Sequence, residues 1–119
     1  MDSLAQADAF FAGRPEAWAV FEALRTALCA RFPDTQLRVM KTCISFDDPK
    51  PYCYVSMPKR KAQRGIVVTF GLRERMESPR FMMVVPISKS RFTVHVLVQD
   101  AQEIDGELLS LISLARSQR

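Results

Sequence analysis

Several residue types that build catalytic and metal sites are scarce in this chain of 119 residues, which has one histidine and three cysteines. The single imidazole, His95, excludes any site that needs several imidazoles. Cys29, Cys43 and Cys53 are odd in number and include no C-x-x-C pair, so they fit neither a secreted disulfide framework nor a zinc site. We therefore expect no metal and no cofactor, and the cysteine usage favours a reducing cytoplasm.

Long apolar runs are also absent. No stretch approaches the ~18 consecutive apolar residues that a membrane-spanning helix needs, and the first residues lack the basic and apolar regions of a secretory signal. Hydrophobic residues make up 48% of the chain and charged residues 25%, which is typical of a soluble globular domain. We expect one cytoplasmic domain over residues 1–119, with a single core.

Positive charge is concentrated in the middle of the chain. Residues 50–91 carry ten Lys or Arg and two Glu, a balance of +8, so the total of +4 leaves −4 in the flanks. Such a segregated zone favours anionic partners whatever the fold. Four of its cations form a predicted basic rim on one loop: Lys59, Arg60, Lys61 and Arg64. The alternative is a solvated loop whose charges only guard the sheet against edge pairing.

Helical spacing marks both ends of the sequence. Apolar residues recur every three or four positions over residues 3–12 and again over residues 15–32, which predicts two helices. Near the other end, Asp100 and Glu103 have the spacing of a capping box. An apolar stripe over residues 104–115 follows and predicts a closing helix.

Between these helices, short alternating runs separated by turn residues predict the strands of an antiparallel sheet. The runs lie near residues 37–41, 43–47, 52–57, 66–73, 81–87 and 92–99. This order of elements predicts an α+β fold, with an antiparallel sheet of five to six strands and the N-terminal and C-terminal helices packed on one face.

Side chains alternate across a strand, so each run divides into an apolar face and a mixed face. We expect the helices to cover the apolar face and to leave the mixed face open. The predicted ligand-binding residues are Lys41, Tyr52, Tyr54, Arg73 and His95 on the mixed face, and Arg80 in the turn before the fifth strand. Cations, hydroxyls and rings of this kind bind anions by charge-assisted hydrogen bonds and stacking. The alternative is a half-wet face on which tyrosine and threonine serve packing alone.

Cys43 and His95 fall on the same predicted face, where they would be a nucleophile and its base if they were adjacent. No local motif supports this pairing. We therefore predict no catalytic residues and a protein that is not an enzyme.

Four short segments and His95 resemble, in the same order, a bacterial family of α+β domains catalogued as a domain of unknown function and sometimes labelled a predicted transport protein. The segments are KTCISF at 41–46, GL at 71–72, SPR at 78–80 and IDGELL at 104–109. The chain is also similar in layout to YdhG-like domains. The resemblance covers about residues 10–115 and implies helices on one side of an antiparallel sheet, with no established activity.

Together these patterns predict a non-catalytic binding or accessory domain that engages an anionic small ligand or an acidic partner through the mixed face and the basic loops. Two alternatives stay open. The basic zone at residues 50–91 would bind nucleic acid weakly and without sequence preference. The mixed face would instead form a homodimer interface that buries Tyr52 and Tyr54.

Overall fold

The computed structural model describes residues 3–60 and 63–119, so Lys61 of the predicted basic rim lies outside the described residues. Helices α1 (Ser3–Phe10) and α2 (Pro15–Arg31) precede the strands, and a 3-10 turn (Ala101–Glu103) and α3 (Gly106–Gln118) follow them. The strands are β1 (Gln36–Val39), β2 (Ile44–Asp47), β3 (Pro51–Ser56), β4 (Ile66–Leu72), β5 (Phe81–Ser88) and β6 (Arg91–Val98). Each predicted strand is confirmed to within two residues at either end.

All six strands belong to one antiparallel sheet, in the order β1-β2-β3-β4-β6-β5. β1 and β5 are therefore its edges, and β4 and β6 lie next to each other near one side. The predicted α+β class is confirmed, with helices from the N-terminal and C-terminal parts of the chain packed on the sheet.

The core lies between the helices and the apolar face of the sheet. α2 buries Phe21 and Leu24, and α3 buries Leu108 and Ile112, in one cluster with strand residues such as Val68. Each buried side chain of this size stabilises the fold by roughly 1.5–3 kcal/mol relative to an exposed position. Because the helices use one face, the mixed face keeps partly exposed residues.

A bulge in β3 changes the face on which Tyr52 lies. Phe46 of β2 is opposite Cys53, whereas Asp47 is opposite Pro51, so Tyr52 is an extra residue in the ladder. Tyr52 and Cys53 are both buried in the core cluster. The prediction that Tyr52 lies on the mixed face is wrong, because strict alternation takes no account of an inserted residue.

The capping signals near the end of the chain belong to two separate elements. The capping box of Asp100 and Glu103 closes the short 3-10 turn. α3 begins later, at Gly106, and the Asp105 side chain accepts a hydrogen bond from the Leu108 amide at 3.0 Å. The closing helix is confirmed, but the prediction that the capping box at Asp100 and Glu103 begins it is wrong, because Asp105 has an extended backbone between the 3-10 turn and α3.

Candidate functional site

A row of side chains crosses the mixed face from strand to strand. Tyr54 on β3 is opposite Thr69 on β4, and Thr69 is opposite His95 on β6. Met83 on the edge strand β5 continues the row beyond His95. Directly opposed residues have Cβ atoms ~4.5–5.5 Å apart, so neighbours in this row contact each other. The structure thus brings Tyr54 and His95 onto one face, as the alternation predicts.

His95 is held in place by its neighbour in this row. Thr69 Oγ1 and His95 Nδ1 are 2.9 Å apart and share a hydrogen bond. Among residues 3–60 and 63–119, Nε2 of His95 has no hydrogen-bond partner. Every buried side-chain nitrogen or oxygen in these residues does have a partner, so Nε2 is not buried and is accessible. Burial, followed by the charge of Lys59, lowers the pKa of His95 below its ordinary value of 6.5, which favours the neutral ring near pH 7.

A groove of about 480 Å³ lies beside His95, and we term it the methionine groove. It is lined by Ser56, Met57, Lys59, Arg60, Gln63, Val67, Met82, Met83 and His95. Its volume falls within the range typical of small-molecule sites. Val67 is buried but does not belong to the core cluster under the helices, so neighbouring residues on the mixed face must cover it. The groove therefore combines an apolar surface with two cations from the predicted basic rim.

The loop that carries these cations is fixed at its end by Gly65. Gly65 has a φ of +88°, and a Cβ at this position would lie 2.0 Å from the backbone oxygen of Val98. Arg14, at the start of α2, also donates a hydrogen bond from Nη2 to the Gln63 carbonyl at 3.1 Å. Gly65 is thus held against β6, and Gln63 is held against the start of α2. Arg64, the remaining described cation of the rim, is exposed and does not line the groove.

A second cavity, of about 210 Å³, lies toward the opposite end of the sheet. β3 and β4 pair over residues 54–56 and 67–69, and among the described residues their ladder does not continue beyond these positions. We term this opening the forked cavity. Tyr54, Arg73 and Arg91 line it, together with Gly71 and Arg119. Of the predicted ligand-binding residues, Tyr52, Tyr54 and Arg73 border this cavity, while His95 borders the methionine groove.

Arg80 has a structural role on the helix side of the molecule. Its Nη1 lies 2.8 Å from Asp105 and 3.0 Å from Glu107, and its Nη2 donates to the Glu103 carbonyl at 2.7 Å. These hydrogen bonds raise the pKa of Arg80, and the same contact lowers the pKa of Asp105. Arg80 joins the start of β5 to the start of α3, so the prediction that it shares a site with His95 is wrong.

Lys41 is exposed in the turn between β1 and β2 and is not on a strand. The turn adjoins Ile44, whose row across the sheet runs through Val55 to Val68. Arg73 lies five positions after Val68 and just past the end of β4, a distance of about 17 Å in the direction away from Lys41. The predicted pairing of Lys41 with Arg73 in one site is therefore wrong, because the two cations lie at opposite ends of the sheet.

The thiols do not form a catalytic pair with the histidine. Cys43 precedes β2 and His95 is on β6, so β3 and β4 separate them by about 14 Å at the usual strand spacing. Cys53 is buried, and burial raises the pKa of its thiol. In the described part of the chain, no group of three or more His, Cys, Asp or Glu is placed to hold a metal ion.

Three methionines of the groove, Met57, Met82 and Met83, are functional candidates that the sequence did not single out. Met82 and Met83 are 45% and 52% exposed, which is unusual for large apolar side chains. Their run in β5 predicts a strand correctly. Only the position of β5 at the sheet edge, beside His95, shows that they border a groove.

Among the residues that the structure describes, no helix has the length and apolar character needed to cross a membrane. Residues 7–117 match the sequence profile of a family described as Domain of unknown function (DUF5655). No curated protein and no solved structure matched the chain. Since the match covers nearly all of the sequence, the chain belongs to this family of domains of unknown function.

Proposed function

We propose that the protein is a non-catalytic binding domain that holds a small anionic ligand with an apolar body in the methionine groove. The observation that carries this proposal is the meeting of Lys59 and Arg60 with three methionines and the accessible Nε2 of His95 around one concave surface. An acidic segment of a partner protein has the same chemistry and is the alternative occupant.

Each part of the groove suits one part of such a ligand. Methionine side chains are flexible and polarisable, so Met57, Met82 and Met83 can adapt to an apolar body of varied shape. Among the described residues, neither Lys59 nor Arg60 forms an ion pair, so both charges are available to an anion. Charge-assisted hydrogen bonds from these groups would be roughly twice as strong as neutral ones.

The origin of the protein, its likeness in layout to other domains and its cellular location are part of the same proposal. The order of segments 41–46, 71–72 and 78–80 supports a bacterial origin and a likeness in layout to YdhG-like domains. Three cysteines, all of them free thiols, fit the reducing cytoplasm. Membership of a family of unknown function supplies no activity, so the proposal depends on the groove alone.

The proposal is tested by a thermal-shift screen of alkyl and aryl carboxylates and sulfonates, each compared with its neutral amide. The double variant Lys59→Gln/Arg60→Gln should lose most of the stabilisation that the anions give to the wild type. Arg64→Gln is the matched control, because Arg64 is on the same loop but outside the groove. Equal stabilisation by the neutral amides, or unchanged anion binding in the double variant, would show that the groove is not this site.

The two alternatives open from the sequence make other predictions. The basic zone does not form one surface, because Lys59 lies at one end of the sheet, Arg73 lies toward the other, and Arg80 is paired with acids. Titration of random-sequence DNA and RNA at low salt tests nucleic-acid binding. A homodimer would show concentration-dependent sedimentation, but Tyr52, which is 4% exposed within one subunit, is not available to its interface.

A further inference from the structure

Two arginines border the forked cavity, one just past the end of β4 and one at the start of β6. Leu72, the last residue of β4, is opposite Phe92 of β6, so Arg73 and Arg91 each lie one residue beyond the last pair of this ladder. Leu72 is buried in the core, whereas Arg73 and Arg91 are both exposed. Two like charges at one cavity repel each other while the cavity holds no anion.

Neither charge is compensated by an acid within the described part of the chain. Among the described residues, Arg73 and Arg91 form no ion pair. The neighbouring cation Arg75, in contrast, lies 3.5 Å from Glu77. A third cation, Arg119, also borders the cavity, where its guanidinium donates to the backbone carbonyls of residues 48 and 50. Uncompensated cations around a concave surface raise the local concentration of anions.

The space between these cations is open. Gly71 lies in the same strand segment, and a Cβ added there would meet only the Phe92 carbonyl oxygen, at 3.9 Å. Because the ladder between β3 and β4 ends at Thr69, β4 has no paired strand on its β3 side over residues 70–72 in the described chain. Tyr54 and Thr93 line the same cavity and carry hydroxyl groups. The walls thus offer hydroxyl donors in addition to the two guanidinium groups.

We propose that the forked cavity is a binding site for a small oxyanion of the phosphate class, held between Arg73 and Arg91. The planar fork of each guanidinium matches two oxygens of a tetrahedral anion. Two arginines at one cavity suit a dianion better than a carboxylate, since a phosphomonoester carries about −1.5 to −2 charges at pH 7. The cavity of about 210 Å³ has room for phosphate or a short phosphomonoester.

This site is independent of the methionine groove, because the two cavities share no lining residue. Free inorganic phosphate and the phosphate group of a small organic ester present the same oxygens to the arginines. The two sources are distinguished by comparing inorganic phosphate with glycerol phosphate. Tighter binding of the ester would show that the cavity also contacts the organic part.

The test is calorimetric titration of the purified protein at low ionic strength with inorganic phosphate, glycerol phosphate and chloride. Arg73→Gln and Arg91→Gln should each weaken phosphate binding by about tenfold or more, since hydrogen bonds to charged groups have such an effect. Arg75→Gln, two residues from Arg73, is the matched control and should bind as the wild type does. Lys59→Gln/Arg60→Gln should also leave phosphate binding unchanged, whatever becomes of the groove.

The variants are also expected to fold. Removing one of two like charges at the same cavity should leave the melting temperature of phosphate-free Arg91→Gln equal to or above that of the wild type. Phosphate binding that is equal in wild type, Arg73→Gln and Arg91→Gln would overturn the proposal. An equal loss of phosphate affinity in Arg75→Gln would overturn it as well. So would the absence of binding by the wild type at about 10 mM phosphate, because this concentration detects even millimolar dissociation constants.

Discussion

Thr69 fixes the imidazole of His95 through a hydrogen bond of 2.9 Å between Oγ1 and Nδ1, on the sheet face opposite the helices. The contact joins β4 to β6 directly, because the two residues are opposite each other in the ladder. It occupies Nδ1 of a ring that lines the methionine groove and leaves Nε2 without a hydrogen-bond partner among the described residues. The only imidazole of the chain is thus oriented by a neighbour that is not itself in the groove.

The first prediction concerns the pKa of this ring. Because His95 is the only histidine, its ring signals in an NMR titration need no assignment. We expect a pKa below 6.5 in the folded protein, and a higher value in Lys59→Gln, since that change removes a nearby positive charge. Arg64→Gln serves as the control. A His95 pKa that is the same in wild type and Lys59→Gln would contradict the placement of Lys59 beside the groove.

The second prediction is the pH dependence of stability that follows from His95. Its pKa is lowered on folding, so the unfolded chain binds the proton first and the free energy of unfolding decreases as pH falls below about 6.5. His95→Gln should remove this part of the decrease, measured by urea unfolding at several pH values. The carboxyls with lowered pKa, Glu16 and Asp105, act in a separate window, below their ordinary values of 4.5 and 3.8.

The third prediction concerns the end of the basic loop. Gly65→Ala should cost about 3 kcal/mol of unfolding free energy, because the backbone has a positive φ and the new methyl group would meet the Val98 carbonyl. Gly13→Ala is the comparison, since Gly13 also has a positive φ but its Cβ would meet no atom within 4 Å. Urea unfolding should show the larger loss at Gly65. Equal losses at the two positions would mean that the close approach to β6 is absent.

The fourth prediction separates the two tyrosines. Tyr52 packs edge-on against Phe32, with ring centroids 5.5 Å apart, and its hydroxyl lies 2.7 Å from Thr35 Oγ1. Tyr52→Ala should cost about 3–5 kcal/mol and Tyr52→Phe about 1 kcal/mol. Tyr54→Ala, on the partly exposed mixed face, should cost about 1 kcal/mol or less.

Spectrophotometric titration provides a second measurement on the same pair. Burial raises the pKa of Tyr52 to about 12, against a smaller opposing effect of its hydrogen bond to Thr35. Absorbance of the Tyr54→Phe variant reports this titration alone, since the chain has two tyrosines. A Tyr52 pKa near its ordinary value of 10.0 in the folded protein would contradict its burial in the core.

The fifth prediction concerns the junction of β5 and α3. Arg80→Met removes two ion pairs and the hydrogen bond to the Glu103 carbonyl. Loss of that hydrogen bond alone, about 1 kcal/mol, should lower the melting temperature by about 4 °C in a domain of this size. Arg75→Met removes one exposed ion pair and should change the melting temperature little. Similar effects of the two substitutions would contradict a structural role for Arg80.

Much of the fold follows from local sequence signals. Periods of 3.6 and 2 residues locate the helices and strands, and alternation alone places Tyr54, Thr69 and His95 on one face. Alternation fails at Tyr52, because the bulge that turns this side chain into the core forms between β3 and β2, which are separate segments of sequence. No local sequence pattern indicates that a tyrosine next to a buried cysteine is itself buried.

The sequence by itself determined most of the elements, the α+β class and the excess of positive charge in the middle of the chain, since these depend on composition and short-range periodicity. Only the tertiary structure decided how that charge is divided. The order β1-β2-β3-β4-β6-β5 sends Lys41 and Arg73 to opposite ends of the sheet, pairs Arg80 with acids 25 and 27 positions away, and sets Lys59 beside the methionines of β5. These relations depend on which strands are neighbours, and strand pairing over long sequence separations is decided by packing of the whole core.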